Sequence, residues 1–267
     1  MNGKNIKEIV KDKYASIAKQ RNNPQKCRGV TSCCDSSNAD YSMFNDDYSN
    51  LRGYNADADL GLGCGIPTEY AQIKKGDTVL DLGSGAGNDV FVARQIVGEK
   101  GKVIGLDMTE EMIDKAIINN QTLGYKNVEF ILGDIEEMPV EDQSIDVVVS
   151  NCVLNLVPNK MKAFNEIFRV LKSDGHFCIS DIVIKGKLTD ELRKSAELYA
   201  GCVSGALEED DYLRIVKDSG FNKIKIQKRK RVEIPETILN EYLSNEDIED
   251  FKKDITGIFS ITVVGYK

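Results

Sequence analysis

The sequence lacks the features that export, membrane insertion and nonspecific nucleic-acid binding require. It has no run of about 18 apolar residues, so no segment is predicted to span a membrane. Its N-terminal stretch contains no apolar core typical of a signal peptide. Its net charge is −8, whereas nonspecific nucleic-acid binding needs a basic surface. We therefore expect a cytoplasmic protein that binds neither membranes nor nucleic acid.

The sequence is also poor in histidine and in paired cysteines. Its one histidine, His176, falls inside a predicted strand, and we interpret it as a packed residue rather than a catalytic base. Its seven cysteines form none of the C-x₂₋₄-C pairs typical of structural zinc sites. Because there is no export signal, a disulfide scaffold is not expected either. Metal binding or redox chemistry therefore competes with simple burial as the role of these cysteines.

Strand and helix patterns alternate along the 267 residues, whose composition is that of an ordinary globular protein. Thr109, followed by Glu110 and Glu111, predicts one helix N-terminus clearly. Alternation of this kind predicts an α/β fold with a doubly wound, mostly parallel sheet. The predicted strands are residues 77–83, 102–107, 127–134, 144–151, 175–183, 222–234 and 261–267, and the predicted helices are residues 6–18, 87–98, 109–123, 159–172 and 208–219.

The chain is predicted to have three parts. Residues 1–60 combine an amphipathic helix with a polar, mobile loop that carries three cysteines, of which Cys27 has no assigned role. Residues 61–184 contain the binding motifs described next, and residues 185–267 contain the remaining helices and strands. The basic cluster "KRKR" at residues 228–231 fits a solvated edge strand or a nucleic-acid patch, and we favour the edge strand.

The stretch "VLDLGSGAGND", residues 79–89, is the most informative local motif. A strand ends at Asp81, and Gly83 with the two alternate glycines after it lets a ligand approach the backbone before a helix begins. The dinucleotide pattern G-x-G-x-x-G fails because its third glycine would fall on Asn88, and a Walker A lysine is absent. The pattern instead fits a ligand without pyrophosphate, namely an amino-acid sulfonium joined to adenosine.

Acidic residues at successive strand ends suit the parts of such a ligand. Asp81 can hold its ammonium group, Asp107 can accept hydrogen bonds from both ribose hydroxyls, and Asp134 can meet the adenine amino group. A glycine loop alone is a weak signal, but the glycines, Asp107 and Asp134 in this order predict an S-adenosylmethionine site. The residues predicted to bind this donor are Asp81, Gly83, Ser84, Gly85, Asp107, Met108, Asp134, Ile135 and Asn151.

These motifs resemble those of the class I S-adenosylmethionine-dependent methyltransferases over roughly residues 60–184. The resemblance implies a Rossmann-like sheet of seven strands whose last strand is antiparallel, and "ITVVGYK" at residues 261–267 suits that strand. It also implies an N-terminal lid of helix and loop, in which Tyr14 either caps the donor or packs in the core. After the fifth strand it implies an insertion that covers the methyl acceptor.

Several cysteines fall where such a fold binds the methyl acceptor. Cys152 follows the fourth strand beside the donor, Cys64 lies in a loop before the first strand, and Cys202 lies in the segment after the fifth strand. Cys33 and Cys34 form an adjacent pair in the N-terminal loop. Burial explains each cysteine alone, but the convergence of three on the acceptor side favours a chemical role.

The sequence resembles the arsenite S-adenosylmethionine methyltransferase family through five motifs within about residues 60–210. They are "ADLGLGCGIP", "LDLGSGAGND", "GLDMTEEM", "SNCVLNLVP" and "YAGCVSGA", in the family's order. The resemblance implies that thiolates bind trivalent arsenic as the substrate, and we expect the chain to lack the extra C-terminal domain of longer members. The cysteines implied in this chemistry are Cys64, Cys152 and Cys202 as arsenic ligands, with Cys33 or Cys34 as the N-terminal cysteine; Cys178 is interpreted as packing.

Thiolate ligands are consistent with this chemistry because they suit a soft, thiophilic ion. Arsenic bound by three sulfurs keeps a lone pair that can attack a sulfonium methyl group without losing a proton, so no general base is needed. The pocket then positions the reactants and keeps its cysteines as thiolates. The transfer makes arsenic formally pentavalent. A pair among Cys33, Cys34 and Cys64 can reduce it by closing a disulfide, which an external thiol such as thioredoxin or glutathione reopens.

Two alternatives remain open at this stage. The first is methyl transfer to carbon or oxygen of a quinone- or sterol-type small molecule, with incidental cysteines. The second is a metalloid-binding buffer or sensor without turnover, against which the intact donor motif argues. We predict an S-adenosylmethionine-dependent arsenite methyltransferase that acts on a small trivalent arsenical and is served by a thiol reductant.

Overall fold

One sheet runs through the structure, a computed structural model that describes residues 3–20, 46–186, 203, 205–233, 248 and 256–267. Its strands are β1 (Thr78–Leu82), β2 (Lys102–Asp107), β3 (Val128–Leu132), β4 (Ile145–Asn151), β5 (Leu171–Lys185), β6 (Asn222–Arg231) and β7 (Gly257–Tyr266). The helices are α1 (Gly3–Gln20), α2 (Pro67–Tyr70), α3 (Asn88–Val97), α4 (Glu110–Leu123), α5 (Lys160–Val170) and α6 (Glu209–Asp218), with a 3₁₀ turn at Leu154–Leu156.

The described strands are ordered β3-β2-β1-β4-β5-β7-β6 across the sheet. Strand β1 pairs in parallel with β2 and β4, and the parallel pairing continues to β3 on one side and β5 on the other. Strand β7 enters between β5 and β6 and is antiparallel to both. This topology confirms the predicted seven-stranded, doubly wound sheet with an antiparallel last strand.

Both faces of the central strands β1, β4 and β7 are buried, which is why these strands are rich in apolar residues, whereas the edge strands β3 and β6 are partly exposed. Alternate residues of β1 point to opposite faces, so Val79 joins one apolar cluster and Leu80 joins the other. The cluster around Leu80 includes Phe164 of α5 and Tyr212 of α6. The cluster around Val79 includes Phe91 of α3, and Ala18 of α1 is buried in the same cluster.

Most predicted boundaries lie within a few residues of those in the structure. The helix predicted to reach residue 172 ends at Val170, because the buried Leu171 already pairs with Ile145 at the start of β5. Thr109 occupies the N-cap position of α4 as predicted, but its side chain makes no capping hydrogen bond. Strand β7 begins at Gly257, four residues before the predicted start.

The basic cluster at residues 228–231 lies in β6, at the edge of the sheet. The Nζ atoms of Lys228 and Lys230 lie 2.6 and 3.1 Å from the carboxylate of Asp46, and Arg229 forms an ion pair with Glu209. The place of β6 at the end of the strand order confirms the interpretation as an edge strand. None of the described helices is both long enough and apolar enough to cross a membrane.

Candidate functional site

A cavity opens at the carboxyl ends of the parallel strands, where ligands of doubly wound sheets bind. It lies between the loop after β1, the end of β2 and the turn after β4, and Tyr14 of α1 also lines it. Tyr14 in addition packs against the apolar cluster around Val79, which confirms its predicted packing, whereas the cap on the donor stays a prediction. All nine residues predicted to bind the donor line the cavity: Asp81, Gly83, Ser84, Gly85, Asp107, Met108, Asp134, Ile135 and Asn151.

The glycine loop needs a residue without a side chain at position 83. Gly83 has a φ of +67°, a left-handed conformation that favours glycine, and a Cβ there would lie 2.4 Å from Cγ2 of Val153. The backbone N–H groups of Gly83 and Ser84 both donate to the carbonyl of Leu106, at 2.7 and 3.0 Å. The loop is therefore tied to the end of β2 and keeps the cavity open above it.

The carboxylate of Asp107 is held by the backbone on both of its oxygens. Its Oδ2 accepts from the N–H of Gly85 at 2.9 Å, and its Oδ1 accepts from the N–H of Thr109 at 2.8 Å. Burial raises the pKa of Asp107, and these hydrogen bonds oppose that rise. Because each carboxylate oxygen can accept a second hydrogen bond, this group fits a ligand that presents two hydroxyls side by side.

Three buried carboxyl groups give the cavity an acidic character. Burial raises the pKa of Asp81 well above its usual value, and the charges of Asp89 and Asp107 raise it further. Burial also raises the pKa of Asp89 to about 6, against hydrogen bonds from Asn151 and Tyr48 that lower it. A cationic ligand would relieve this repulsion, so the cavity suits a molecule with ammonium and sulfonium charges.

Asp134 lies at the mouth of the cavity and contacts α1. The Nζ atom of Lys7 lies 2.6 Å from Oδ2 of Asp134 and 2.9 Å from Glu136. Although burial opposes the change, the hydrogen bond from Lys7 lowers the pKa of Asp134. The residue predicted to meet the adenine amino group is thus already bound to a lysine of the N-terminal helix.

Cys64 lies in a short segment, residues 63–66, that crosses the ends of β4, β5 and β7. Its N–H donates to Oδ1 of Asn151 at 2.9 Å, and its carbonyl accepts from the hydroxyl of Ser260 on β7. The Cys64 side chain is buried. We call residues 63–66 the Cys64 segment.

Cys152 occupies the turn after β4 in an uncommon backbone conformation. Its φ is +60°, in the left-handed region that residues other than glycine rarely adopt. Its N–H donates to the carbonyl of Ser180 on β5 at 2.7 Å, which ties the turn to the neighbouring strand. Cys152 is buried and lines the cavity, so the turn directs a thiol toward the predicted donor site at some conformational cost.

Two of the predicted arsenic ligands, Cys64 and Cys152, have a common neighbour in Asn151. Burial, then the charge of Asp181, then the charges of Cys64 and Cys152 raise the pKa of the Tyr212 hydroxyl on α6. Both cysteines therefore influence the same buried hydroxyl. Asn151, which accepts from the Cys64 N–H, also immediately precedes Cys152.

The structure thus describes two of the three predicted arsenic ligands, and Asn151 links them by accepting from the Cys64 N–H and directly preceding Cys152. Within the described residues, no cluster of three or more histidine, cysteine or acidic side chains is arranged to hold a metal ion. The third predicted ligand and the predicted N-terminal cysteines lie outside those residues, as does the unassigned cysteine of the same loop: Cys202, Cys33, Cys34 and Cys27.

Cys178 and His176 lie away from this site. The Cys178 thiol donates to the carbonyl of Pro67 at 3.2 Å, and burial raises its pKa far above the usual value. His176 contacts the carbonyl of Ala71 at 2.6 Å through Nε2, and its ring stacks on Tyr266. Both side chains are buried, which confirms that they are packing residues on one face of β5.

The polar cavity residues that sequence reasoning did not find include Lys7, Tyr48 and Asp89. Asp89 stands in the first turn of α3, where an acidic residue is expected for the helix dipole alone. Tyr48 follows a polar stretch without periodicity, and Lys7 lies on a helix whose polar positions look solvated. Of these three residues, only Asp89 had a signal in the sequence, namely its position directly after the glycine loop.

Comparisons with known proteins identify the fold and its relatives. A family model described as "Methyltransferase domain" matches residues 73–220. The arsenite methyltransferase of Halobacterium salinarum is 40% identical over 260 residues, which is 91% of this chain and 62% of that protein. The human arsenite methyltransferase is 40% identical over 152 residues, or 54% of this chain and 40% of that protein.

A solved structure is similar in both sequence and fold. The arsenic(III) S-adenosylmethionine methyltransferase of Chlamydomonas reinhardtii superimposes with a TM-score of 0.64 at 35% identity. The match covers 77% of this chain and 67% of that one. The chain spans less than two thirds of the length of each of the two named sequence relatives, at 62% and 40%.

Proposed function

The chain belongs to the methyltransferase-domain family, and on that premise we propose that it transfers a methyl group from S-adenosylmethionine to trivalent arsenic bound by cysteine thiolates. The observation that carries this proposal is that Asn151, which lines the acidic cavity, accepts from the Cys64 N–H and directly precedes Cys152, and both cysteines are buried. Relatives over most of the chain are named arsenite methyltransferases, which supports arsenite or methylarsenite as the acceptor.

The cavity residues fit the donor at each of its polar parts. In our assignment Asp81 pairs with the ammonium group and Asp107 accepts from the ribose hydroxyls, while Gly83 and Gly85 leave room for the ligand against the backbone. A Cβ on Gly85 would meet no atom within 4 Å, so this glycine faces open space. When bound, S-adenosylmethionine supplies a methyl group on an electron-poor sulfonium sulfur.

The acceptor side needs soft ligands rather than a base. Thiolates of Cys64 and Cys152 suit a thiophilic ion, and Cys202 completes the proposed set of three. Arsenic with three sulfur ligands keeps a lone pair, so its nucleophilic attack releases no proton. His176, packed on Ala71 and Tyr266, is not placed to act as a base, which agrees with chemistry that requires none.

We assign the reduction of pentavalent arsenic in the product to a pair of cysteines. After transfer, the formally pentavalent arsenic takes two electrons from two thiols, which close a disulfide and return arsenic to the trivalent state. We propose Cys33 or Cys34 together with Cys64 as this pair. An external thiol, such as thioredoxin or glutathione, then reopens the disulfide, and the reducing cytoplasm is the compartment that supports the cycle.

A methylation assay with matched cysteine variants tests the proposal. Purified protein is incubated with S-adenosylmethionine, arsenite and excess thiol, and methylated arsenic is separated by chromatography and measured by mass. We expect product from the wild type, at least about a hundred-fold less from Cys152→Ser, and near wild-type product from Cys178→Ser, whose buried thiol lies away from the site.

The same assay includes a quinone acceptor as a second substrate. Methylated quinone in place of methylated arsenic, or full arsenite turnover by Cys152→Ser, would contradict the proposal. Donor binding measured by calorimetry in each variant shows whether any loss of product comes from the acceptor side.

A further inference from the structure

A buried hydrogen-bond network lies directly behind the Cys64 segment. The Tyr48 hydroxyl lies 3.0 Å from both carboxylate oxygens of Asp89 and 3.0 Å from the carbonyl of Gly65. The Asn151 Nδ2 donates to the Tyr48 hydroxyl at 2.8 Å, to the Gly65 carbonyl at 2.7 Å and to Asp89 at 3.2 Å. The network thus contacts the residue that follows Cys64.

The same network also contacts Cys64 itself. The Cys64 N–H donates to the Asn151 Oδ1 at 2.9 Å, so the Asn151 amide bonds to the backbone on both sides of the Cys64–Gly65 peptide. The oxygen and the nitrogen of the Asn151 side chain are both hydrogen-bonded within the protein, and each contacts the Cys64 segment. Asn151 therefore holds the backbone around Cys64, in addition to any contact that it makes with the donor.

The Cys64 segment also packs closely against the sheet, in addition to its hydrogen bonds with Asn151. A Cβ on Gly63 would lie 2.7 Å from Nδ2 of Asn151, and a Cβ on Gly65 would lie 2.6 Å from Oγ of Ser180. The Ser260 hydroxyl donates to the Cys64 carbonyl from β7. The two glycines that flank Cys64 allow this close approach.

The network is anchored on elements that are themselves fixed. Asp89 belongs to the first turn of α3, and Asn151 is the last residue of β4. Tyr48 is buried, and Asp46, two residues before it, forms ion pairs with Lys228 and Lys230 of β6. Burial raises the pKa of Tyr48 well above its usual value, and the charge of Asp89 raises it further, so the hydroxyl keeps its proton.

We propose that Tyr48, Asn151 and Asp89 are positioning residues that fix the Cys64 thiolate at its place in the arsenic site. This inference rests on the proposed function, because it assumes that Cys64 binds arsenic. Tyr48 gives the sharpest test, since Tyr48→Phe removes one oxygen that touches Gly65 and leaves the Cys64 side chain unchanged.

A double-mutant cycle on arsenite affinity separates positioning from general stability. Arsenite binding to wild type, Tyr48→Phe, Cys64→Ser and the double variant is measured by equilibrium dialysis with arsenic detection. We expect Tyr48→Phe to weaken binding about ten-fold in the wild-type background and less than about two-fold in the Cys64→Ser background. Equal weakening in both backgrounds, or none, would overturn the inference.

Two controls accompany the cycle. Tyr125→Phe makes the same chemical change at the surface, where the hydroxyl accepts from Nε2 of Gln95, and its arsenite affinity stays at the wild-type value. The dissociation constant of S-adenosylmethionine in Tyr48→Phe is expected to change less than the arsenite affinity, because the lost hydroxyl contacts Gly65 of the Cys64 segment as well as Asp89 of the cavity. A donor affinity that falls as much as the arsenite affinity would overturn the assignment.

The outcomes also distinguish this inference from the proposed function. Wild-type protein that binds no arsenite would overturn both, whereas wild-type turnover without coupling between Tyr48 and Cys64 would overturn the inference alone. If Tyr48→Phe does not fold, Asn151→Ser enters the same cycle, because it removes the amide that bonds to both sides of the Cys64–Gly65 peptide. Its coupling to Cys64 is then expected to be at least as large.

Discussion

Cys152 stands at a backbone position that favours glycine. Its φ of +60° costs a residue with a Cβ about 1–2 kcal/mol relative to the right-handed conformation. The hydrogen bond from its N–H to Ser180 fixes the turn in this shape. A thiol kept at such a position indicates that the side chain itself is needed there, since glycine would satisfy the backbone alone.

Replacing Cys152 by glycine is therefore expected to separate activity from stability. Cys152→Gly relieves the backbone strain but loses the small buried side chain, so the free energy of unfolding should change by less than about 1 kcal/mol. Arsenite methylation should fall at least about a hundred-fold, because one arsenic ligand is gone. Denaturant unfolding and the methylation assay measure the two quantities, and retained methylation would contradict the role given to the thiol.

The cysteines proposed as arsenic ligands follow from sequence motifs, whereas their surroundings could not be predicted from the sequence. Cys64 and Cys152 stand in motifs at recognisable places relative to the strands. Tyr48 has no such motif, because its role depends on contacts with Asp89 and Asn151, which lie 41 and 103 residues further along the chain. Sequence patterns report local periodicity, and contacts of this length are set by tertiary packing.

At the scale of elements, the segment before β1 is a structural bridge between strands. Residues 63–71 cross the sheet and contact β4 through Asn151, β7 through Ser260 and β5 through Cys178 and His176. The segment contains only the short helix α2 and is otherwise irregular. Its position therefore depends on these contacts together, and the hydroxyl in Cys178→Ser keeps a donor to the Pro67 carbonyl.

Gly65→Ala tests how closely this segment must approach the sheet. The added Cβ would lie 2.6 Å from Oγ and 2.8 Å from Cβ of Ser180, so the segment must shift, at a cost of about 1–3 kcal/mol in the free energy of unfolding. We expect the KM for arsenite to rise with the loss of stability. Adding Ser180→Gly removes both atoms, and the double variant should recover part of the arsenite affinity; no recovery would show that the clash is not the cause.

Element positions were predictable because each element carries its own signal. The apolar runs of β1 and β2 are bounded by glycine or aspartate, and α4 begins behind Thr109 with two acidic residues. The short helix α2 and the 3₁₀ turn at Leu154–Leu156 were not predicted. Both are single turns, too short for helical periodicity to show in the sequence.

At the scale of the whole molecule, the cavity concentrates negative charge inside a chain that is already acidic. Asp89 has a pKa of about 6 in the folded protein, above its ordinary value of 3.8, because burial disfavours the ionised form. Between these two values the folded state binds more protons than the unfolded state. The contribution of Asp89 to stability therefore falls as pH rises through this window, and a bound cation restores it.

Donor affinity should consequently depend on pH. S-adenosylmethionine binds best to the ionised carboxyl groups, so its affinity should increase about four-fold between pH 5.5 and pH 7.5 through a single group with a pKa near 6. Calorimetry at several pH values measures this change and the protons released on binding. In Asp89→Asn the affinity should be nearly constant over this range, and an unchanged pH dependence in that variant would assign the titration to another group.

The central claim is that the arsenic held by the protein is the atom that receives the methyl group. A single-turnover experiment tests it directly: the protein–arsenite complex is freed of unbound arsenite by gel filtration, and S-adenosylmethionine with an isotope-labelled methyl group is added without further substrate. We expect labelled methylarsenic from this complex and none from the same procedure with Cys152→Ser. Label that stays on the donor, while the arsenic remains bound and unmethylated, would contradict the account.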